Sequence, residues 1–271
     1  MRLTILGTGS ARPTGDSAQS GILIEADGTN VLFDIGSGIA SQVEAHVGAT
    51  NLDGLFVGHY HADHWIDIGP MRYKFPWGEP APRPLPLFIP PGGREKLDHL
   101  AAAINERPKF FDPAFDITEY ESGQTFQVGS LTVTPHSVGH YVPAYSMEIV
   151  GPRGERVIYA GDMGPSDMVI DLARNAEVLI LEATLENGAT DDARRGHLDT
   201  PEAIDHVVRS GVIQGLLVHY WSERREIIRG LCAASGAPVE PAVTGMTVEI
   251  EPGCVRIVGR SSKYRSGSSA A

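Results

Sequence analysis

The chain is poor in cysteine. Among 271 residues there are two, Cys232 and Cys254, too few for a disulfide framework and without the spacing of a metal-binding pair. Both are expected to be packing residues, and a reducing cytoplasm suits them. Long apolar runs are missing as well. No stretch reaches the roughly eighteen consecutive apolar residues of a membrane span, so no membrane partner is expected. The opening Met1-Arg2-Leu3-Thr4-Ile5-Leu6 runs straight into a strand pattern, with no long apolar core followed by a cleavage site, and does not read as a signal peptide. Positive charge is scarce. Lys and Arg total 22 against 34 Asp and Glu, a net charge of -12 with pI ≈ 5.2, and no Lys/Arg-rich run occurs in the body of the chain. Polyanion binding needs a basic face, so the balance argues against tRNA or another long nucleic acid as substrate.

What is present is an ordinary globular composition, 42% hydrophobic and 21% charged, with enough apolar residues for a core. Strand patterns fall at residues 2–6, 21–26, 30–34 and 54–57, then near 115–120, 124–128, 131–137, 143–150, 155–161, 177–182, 214–218, 246–250 and 254–258. Helical spacing covers 38–46, 92–104, 166–174, 200–210 and 222–235, with a short helix near 63–73. The segment from Pro76 to Pro91 carries seven prolines and is expected to be extended. Two mixed sheets packed face to face with helices outside is the expected architecture, of class α/β (α+β).

The most informative segment is His59-Tyr60-His61-Ala62-Asp63-His64, four metal-ligand residue types in six positions. Imidazole nitrogens and carboxylate oxygens hold zinc and similar divalent ions. The segment follows the apolar run Gly54-Leu55-Phe56-Val57-Gly58, so His59 and His61 can project to one side of a strand end. Asp63 and His64 lie where the chain turns into a helix, so one loop can serve two metals. Three further candidates stand just beyond apolar strand patterns: His140 after 131–137, Asp162 after 155–161, and His219 after 214–218. Residues spread from 59 to 219 must converge, so residues 1–260 are expected to form a single domain and 261–271 a disordered tail.

This combination resembles the metallo-β-lactamase superfamily of metal-dependent hydrolases, over nearly the whole chain. The resemblance implies a four-layer αββα sandwich of two mixed β-sheets with outer helices. It also implies one metal site from His59, His61 and His140, a second from Asp63, His64 and His219, and Asp162 bridging them. Finer matches are Leu6-Gly7-Thr8-Gly9-Ser10-Ala11-Arg12-Pro13-Thr14, Leu32-Phe33-Asp34-Ile35-Gly36-Ser37-Gly38, Glu182-Ala183-Thr184 and Gly196-His197-Leu198-Asp199-Thr200. These look like the ribonuclease Z branch, with Asp199 in place of the commoner Ser. In that branch the His donates a proton to the leaving oxygen and the Glu orients it, which implies His197 and Glu182 here. Together with Asp63 they are the candidate catalytic residues. Asp34 is a weaker candidate, to orient a ligand histidine. The long tRNA-gripping arm of ribonuclease Z has no room here, because only residues 141–161 separate His140 from Asp162.

The function implied is a dinuclear metal-dependent hydrolase with two divalent ions, zinc first and manganese or iron as alternatives, that share and activate a bridging hydroxide. The expected substrate is a small cyclic phosphate or cyclic nucleotide, and a cytoplasmic homodimer is the expected assembly. The alternatives are a hydrolase of esters, lactones or thioesters on the same metals, a ribonuclease Z-type tRNA 3′ endonuclease, and a non-catalytic metal-binding sensor. His46, His99 and His206 read as structural or solvated residues on exposed or half-exposed helix faces, and His136 as a packed strand neighbour. The Gly7-Thr8-Gly9-Ser10 turn fits either a phosphate cradle or a brace for the metal loop. Tyr73, Phe75, Trp77, Tyr220 and Trp221 fit either base stacking or a dimer contact.

Overall fold

Period-two alternation in the strands is satisfied on both faces, because each sheet is covered on one side by the other sheet and on the other by helices. In a computed structural model, which describes residues 1–77, 81–105, 109–191 and 193–259, the first half of the chain runs through β1 (Arg2–Gly7), β2 (Gly21–Ala26), β3 (Thr29–Phe33), α1 (Ile39–His46), β4 (Gly54–Phe56), α2 (Ala62–Trp65), α3 (Ile68–Met71), β5 (Leu85–Ile89), α4 (Gly93–Ile104) and β6 (Phe115–Glu119). It continues through β7 (Phe126–Val128), β8 (Leu131–Val138), β9 (Ala144–Val150), β10 (Arg156–Tyr159), α5 (Asp167–Ala173), β11 (Val178–Glu182), α6 (Thr200–Ser210), β12 (Gln214–Val218), α7 (Arg225–Ser235), β13 (Val239–Pro241), β14 (Thr247–Glu251) and β15 (Cys254–Gly259). One sheet has the order β15-β14-β1-β2-β3-β4-β5-β6, and the other β13-β12-β11-β10-β9-β8-β7.

The layers follow from residue parity. Leu3, Ile5, Ile22, Ile24, Val31 and Phe33 face Val133, Met147, Ile149, Val157, Val178 and Ile180 in a core between the sheets. The alternate residues Leu23 and Leu32 turn outward onto Ile39 and Val43 of α1 and Leu97 of α4. On the far side Ile158, Leu179, Leu181 and Leu217 pack against Val169 of α5, Val207 of α6 and Ile228 of α7. This is the expected αββα sandwich. Among the described residues no helix is long and apolar enough to cross a membrane.

Several details differ from the sequence reading. The proline-rich stretch contains a strand, β5, which pairs in parallel with β4 and β6; Pro86 is accommodated in it although it has no N–H to give the ladder. The expected helix near 63–73 is broken into α2, α3 and a 3₁₀ turn at Arg72–Lys74. Pro70 cannot donate within it, and the Asp67 amide is drawn off to the Ile35 carbonyl at 3.1 Å. Strand β13 was not expected: Pro241 and the brevity of the segment hide it. Cys232 is buried as expected, but Cys254 is exposed, because it opens the edge strand of its sheet. His206 is also buried rather than half-exposed; its Nε2 accepts the Ser166 amide at 3.0 Å and its Nδ1 donates to the Glu202 carbonyl at 2.7 Å. The expected tail 261–271 lies outside the described residues.

In each sheet a run of parallel strands, β3-β4-β5-β6 and β10-β11-β12-β13, sends its C-terminal ends to one edge of the sandwich. Loops at such an edge are where α/β proteins build sites. The loop after β11 is fixed by the start of α6. There Asp199 accepts from the Glu202 amide at 2.9 Å, Glu202 accepts from the Asp199 amide at 3.0 Å, and Asp199 also accepts from the Gly188 amide at 2.8 Å. Such a capping box satisfies two donors that a helix start leaves open. Asp199→Ala is expected to lower the unfolding free energy by about 1–2 kcal/mol in urea titration, and Asp199→Ser to keep most of it. An Ala variant as stable as the parent would show that the box contributes nothing to α6.

Candidate metal centre

The structure gathers every sequence-predicted site residue at this edge. His59, His61, His140 and Asp162 converge with their donor atoms mutually within 4.8 Å, as do Asp63, His64 and His219, and as do Asp162, His197 and His219. The placement is a product of strand ends. His59 follows β4, His140 follows β8, Asp162 follows β10 and His219 follows β12 directly. The turn carrying Asp63 is held tight by Gly36, where a Cβ would lie 1.9 Å from the Asp63 carbonyl oxygen, so only glycine lets the two loops meet.

Hydrogen bonds on the outer side of the cluster decide what its inner side offers. His64 Nδ1 donates to Asp34 Oδ2 at 2.8 Å. His140 Nδ1 donates to the Gly196 carbonyl at 2.6 Å. His219 Nδ1 donates to Thr184 Oγ1 at 2.7 Å, since the Thr184 hydroxyl proton is directed at the His219 carbonyl at 2.9 Å. Each ring therefore turns its Nε2 inward, an atom that offers a lone pair wherever it carries no proton. Those nitrogens meet further polar atoms: His64 Nε2 lies 3.3 Å from Asp162 Oδ1 and 3.4 Å from His219 Nε2, and His219 Nε2 lies 3.0 Å from Asp63 Oδ2. His140 Nε2 lies 3.1 Å from His61 Nδ1. His59 Nε2 is buried with no hydrogen-bond partner, an orphan that calls for an explanation.

Protons meet this demand only in part. Burial opposes a cation at His64, but the Asp162 and Asp34 carboxylates outweigh it and hold this histidine well above its ordinary value. Burial, with the neighbouring His64 charge, pushes His59 well below it, and burial pushes His140 down to about 4. Burial would raise Asp162, yet the His219 and His64 rings hold it well below the usual carboxylate range. Mixed N/O donors with inward lone pairs and depressed carboxylates fit divalent cations.

Glu182 and His197 stand beside this cluster. His197 Nδ1 donates to both Glu182 oxygens, at 2.8 and 2.9 Å, and lies 3.9 Å from Asp162 Oδ2. Glu182 is fully buried and takes the Met163 amide at 2.8 Å; burial raises its pKa. Burial disfavours the His197 cation, but the Glu182 hydrogen bond and charge, with Asp162 and Asp191, bring its pKa up to about 9. The pair is thus arranged to keep its proton on His197.

Asp34 takes the orienting place that the sequence suggested. A left-handed backbone, φ 59°, turns its carboxylate inward, where it accepts from His64 Nδ1, from the Gly58 amide at 2.7 Å and from the Tyr159 hydroxyl at 2.7 Å. The glycine-rich turn is a brace, not a cradle. The Thr8 amide is taken by Ser17 Oγ and the Gly9 amide by the Ala18 carbonyl, while the Thr8 carbonyl receives the Tyr220 amide at 3.2 Å. Of the aromatic residues, Phe75 and Tyr220 are buried, Tyr73 and Trp77 form an exposed stack at 5.5 Å, and Trp221 is half-buried beneath Arg12 at 4.3 Å. His46 and His99 are exposed, and His136 pairs with Glu148 at 3.2 Å. Sequence reasoning passed over Thr184, although it stands in the quoted Glu-Ala-Thr segment. It also passed over Tyr141, Tyr159 and Asp191, for which no local pattern existed.

Asp34→Ala would leave three buried donors without an acceptor. At about 1–3 kcal/mol per stranded group, urea unfolding of chelated protein is expected to show a loss of at least about 3 kcal/mol. A loss below about 1 kcal/mol would mean that the three donors find other partners.

Comparisons agree with this geometry. The β-lactamase superfamily domain matches residues 29–220. The uncharacterized protein ML1173 of Mycobacterium leprae is 30% identical over 93% of this chain and 89% of its own length. Ribonuclease Z of Haloarcula marismortui is 26% identical over 93% of this chain and 97% of its own length. The crystal structure of the metallo-β-lactamase fold protein YhfI from Bacillus subtilis superposes with a TM-score of 0.78 at 25% identity, covering 92% of this chain and 99% of that one. The chain therefore belongs to the β-lactamase superfamily, as a ribonuclease Z-like metal-dependent hydrolase of the metallo-β-lactamase fold.

Proposed function

We propose that the protein is a dinuclear phosphodiesterase acting on a small cyclic phosphate or cyclic nucleotide. The observation that carries this reading is the Glu182–His197 pair, hydrogen-bonded at 2.8 Å, which sets an imidazole 3.9 Å from Asp162 at the candidate metal cluster. One ion would be held by His59, His61 and His140, the other by Asp63, His64 and His219, with Asp162 shared. Zinc suits these donors, and manganese or iron is accepted by the same set. When bound, such a pair supplies the activated nucleophile and neutralises charge on the phosphoryl oxygens.

The chain's own residues do the rest. Glu182 fixes His197 by its Nδ1 side, which leaves Nε2 to carry the transferable proton. An alkoxide leaving from phosphorus is a strong base and needs that proton, whereas a thiolate does not. Asp34, Thr184 and the Gly196 carbonyl keep the candidate ligand rings turned inward. The segment between His140 and Asp162 is occupied by β9, a turn and β10, and the net charge is -12. Both features support a compact substrate over tRNA.

The test is turnover of a panel by metal-loaded protein. The panel holds 3′,5′- and 2′,3′-cyclic nucleotides, bis(p-nitrophenyl) phosphate, a lactone, a thioester and a precursor tRNA. Cyclic nucleotide cleavage is expected, at two equivalents of metal per chain by elemental analysis. His197→Ala should lower its kcat by about 10²–10⁴-fold. Cleavage of bis(p-nitrophenyl) phosphate should fall far less, because p-nitrophenolate leaves without a proton, and Asp162→Ala should abolish both. Lactone or thioester turnover that needs Asp162, with the cyclic nucleotides left uncut, would replace the phosphodiesterase reading with the ester-hydrolase one.

A further inference from the structure

The Gly196 backbone sits between the candidate metal cluster and the candidate proton donor and is held on both sides. Its carbonyl accepts the His140 Nδ1 proton at 2.6 Å, and its amide donates to Asp191 Oδ2 at 2.9 Å. The same Asp191 oxygen accepts the His197 amide at 3.3 Å. The other Asp191 oxygen accepts the hydroxyl of Tyr141, the residue after His140. The Tyr141 ring lies 4.9 Å from the His140 ring and 5.3 Å from the His197 ring. A Cβ on residue 196 would come within 2.5 Å of that tyrosine ring, so glycine is required for the peptide to lie against it. The Asp191 side chain is 5% exposed, a carboxylate taken out of water and matched by three donors.

We propose that Asp191 and Tyr141 are positioning residues that clip the Gly196–His197 peptide in place, so that one peptide sets both the ring of His140 toward the metals and the ring of His197 toward the leaving group. Rotation of that peptide would release the His140 Nδ1 bond and displace His197 together. The catalytic half of this proposal rests on the reading of His197 as proton donor; the metal half does not. The clip is anchored to the rest of the fold, because Arg195 pairs with Glu202 of the α6 capping box.

The experiment compares Asp191→Ala, Asp191→Asn, Tyr141→Phe and His197→Ala in the full chain. Amide exchange at Gly196 and His197, zinc affinity, and kcat and KM on a 3′,5′-cyclic nucleotide at saturating zinc are measured for each. Asp191→Ala should expose both amides to exchange, weaken zinc by about tenfold and lower kcat by about 10–100-fold with KM within about threefold. Asp191→Asn can still accept an amide and donate to the tyrosine oxygen, so it should recover protection, zinc affinity and most of kcat. Tyr141→Phe should fall between, and it carries the test if Asp191→Ala does not fold. Faster exchange with zinc affinity and kcat unchanged would reduce the clip to a loop staple and overturn the proposal, as would a kcat loss without faster exchange. If His197→Ala leaves kcat unchanged, the proton-donor reading fails, and zinc affinity and exchange alone decide whether the clip stands.

Discussion

Three imidazoles at one edge of the sandwich have their outer N–H groups committed to a carboxylate, a carbonyl and a hydroxyl. Their inner nitrogens therefore face one another and the oxygens of Asp63 and Asp162. The Asp162 and Asp34 carboxylates keep a proton on His64, but one proton cannot serve every contact of 3.0–3.4 Å in the cluster, and acceptor pairs left without one repel in a buried setting. The surrounding structure is arranged to maintain this arrangement: Asp34 is turned inward by a left-handed backbone, Thr184 is locked by its own bond to the His219 carbonyl, and Gly36 lets the Asp63 turn approach. A polar cluster that is costly as it stands and becomes favourable around cations is a preorganised site.

Much of this was legible in the chain because both sheets obey the period-two pattern and the site residues stand at strand ends. The residues 59–64, with His140, Asp162 and His219, could be read from type and placement alone. What escaped reading has physical reasons. Strand β5 lies among prolines, which hide it, and β13 is three residues long. His206 looked like a helix-face residue, but the N-terminal edge of α5 covers it and uses its Nε2. Cys254 was misjudged because small apolar character says nothing about whether a strand lies at an edge. Thr184 acts through a bond to a residue 35 positions away, and Tyr141 and Asp191 bond to each other across 50 positions; no local pattern encodes such pairings.

The candidate acid and the candidate ligands are held in different ways at the same edge. Glu182 ends a central strand and is fully buried, so its carboxylate has a fixed position. His197 sits on a loop that ends, two residues later, in the cap of α6. Rigid strand ends hold the candidate ligands, while a loop pinned by a helix start holds the candidate proton donor.

Each candidate ion would take donors from both sheets. His59, His61, Asp63 and His64 follow β4 of the first sheet, whereas His140, Asp162 and His219 follow strands of the second. A partly folded chain with only one sheet formed holds an incomplete donor set for either ion. Binding is thereby linked to docking of the two halves, and the free energy of binding adds to the cohesion of the sandwich by mass action. Metal supply would then govern how long the two halves stay closed on each other, and so the lifetime of the folded protein as well as its chemistry.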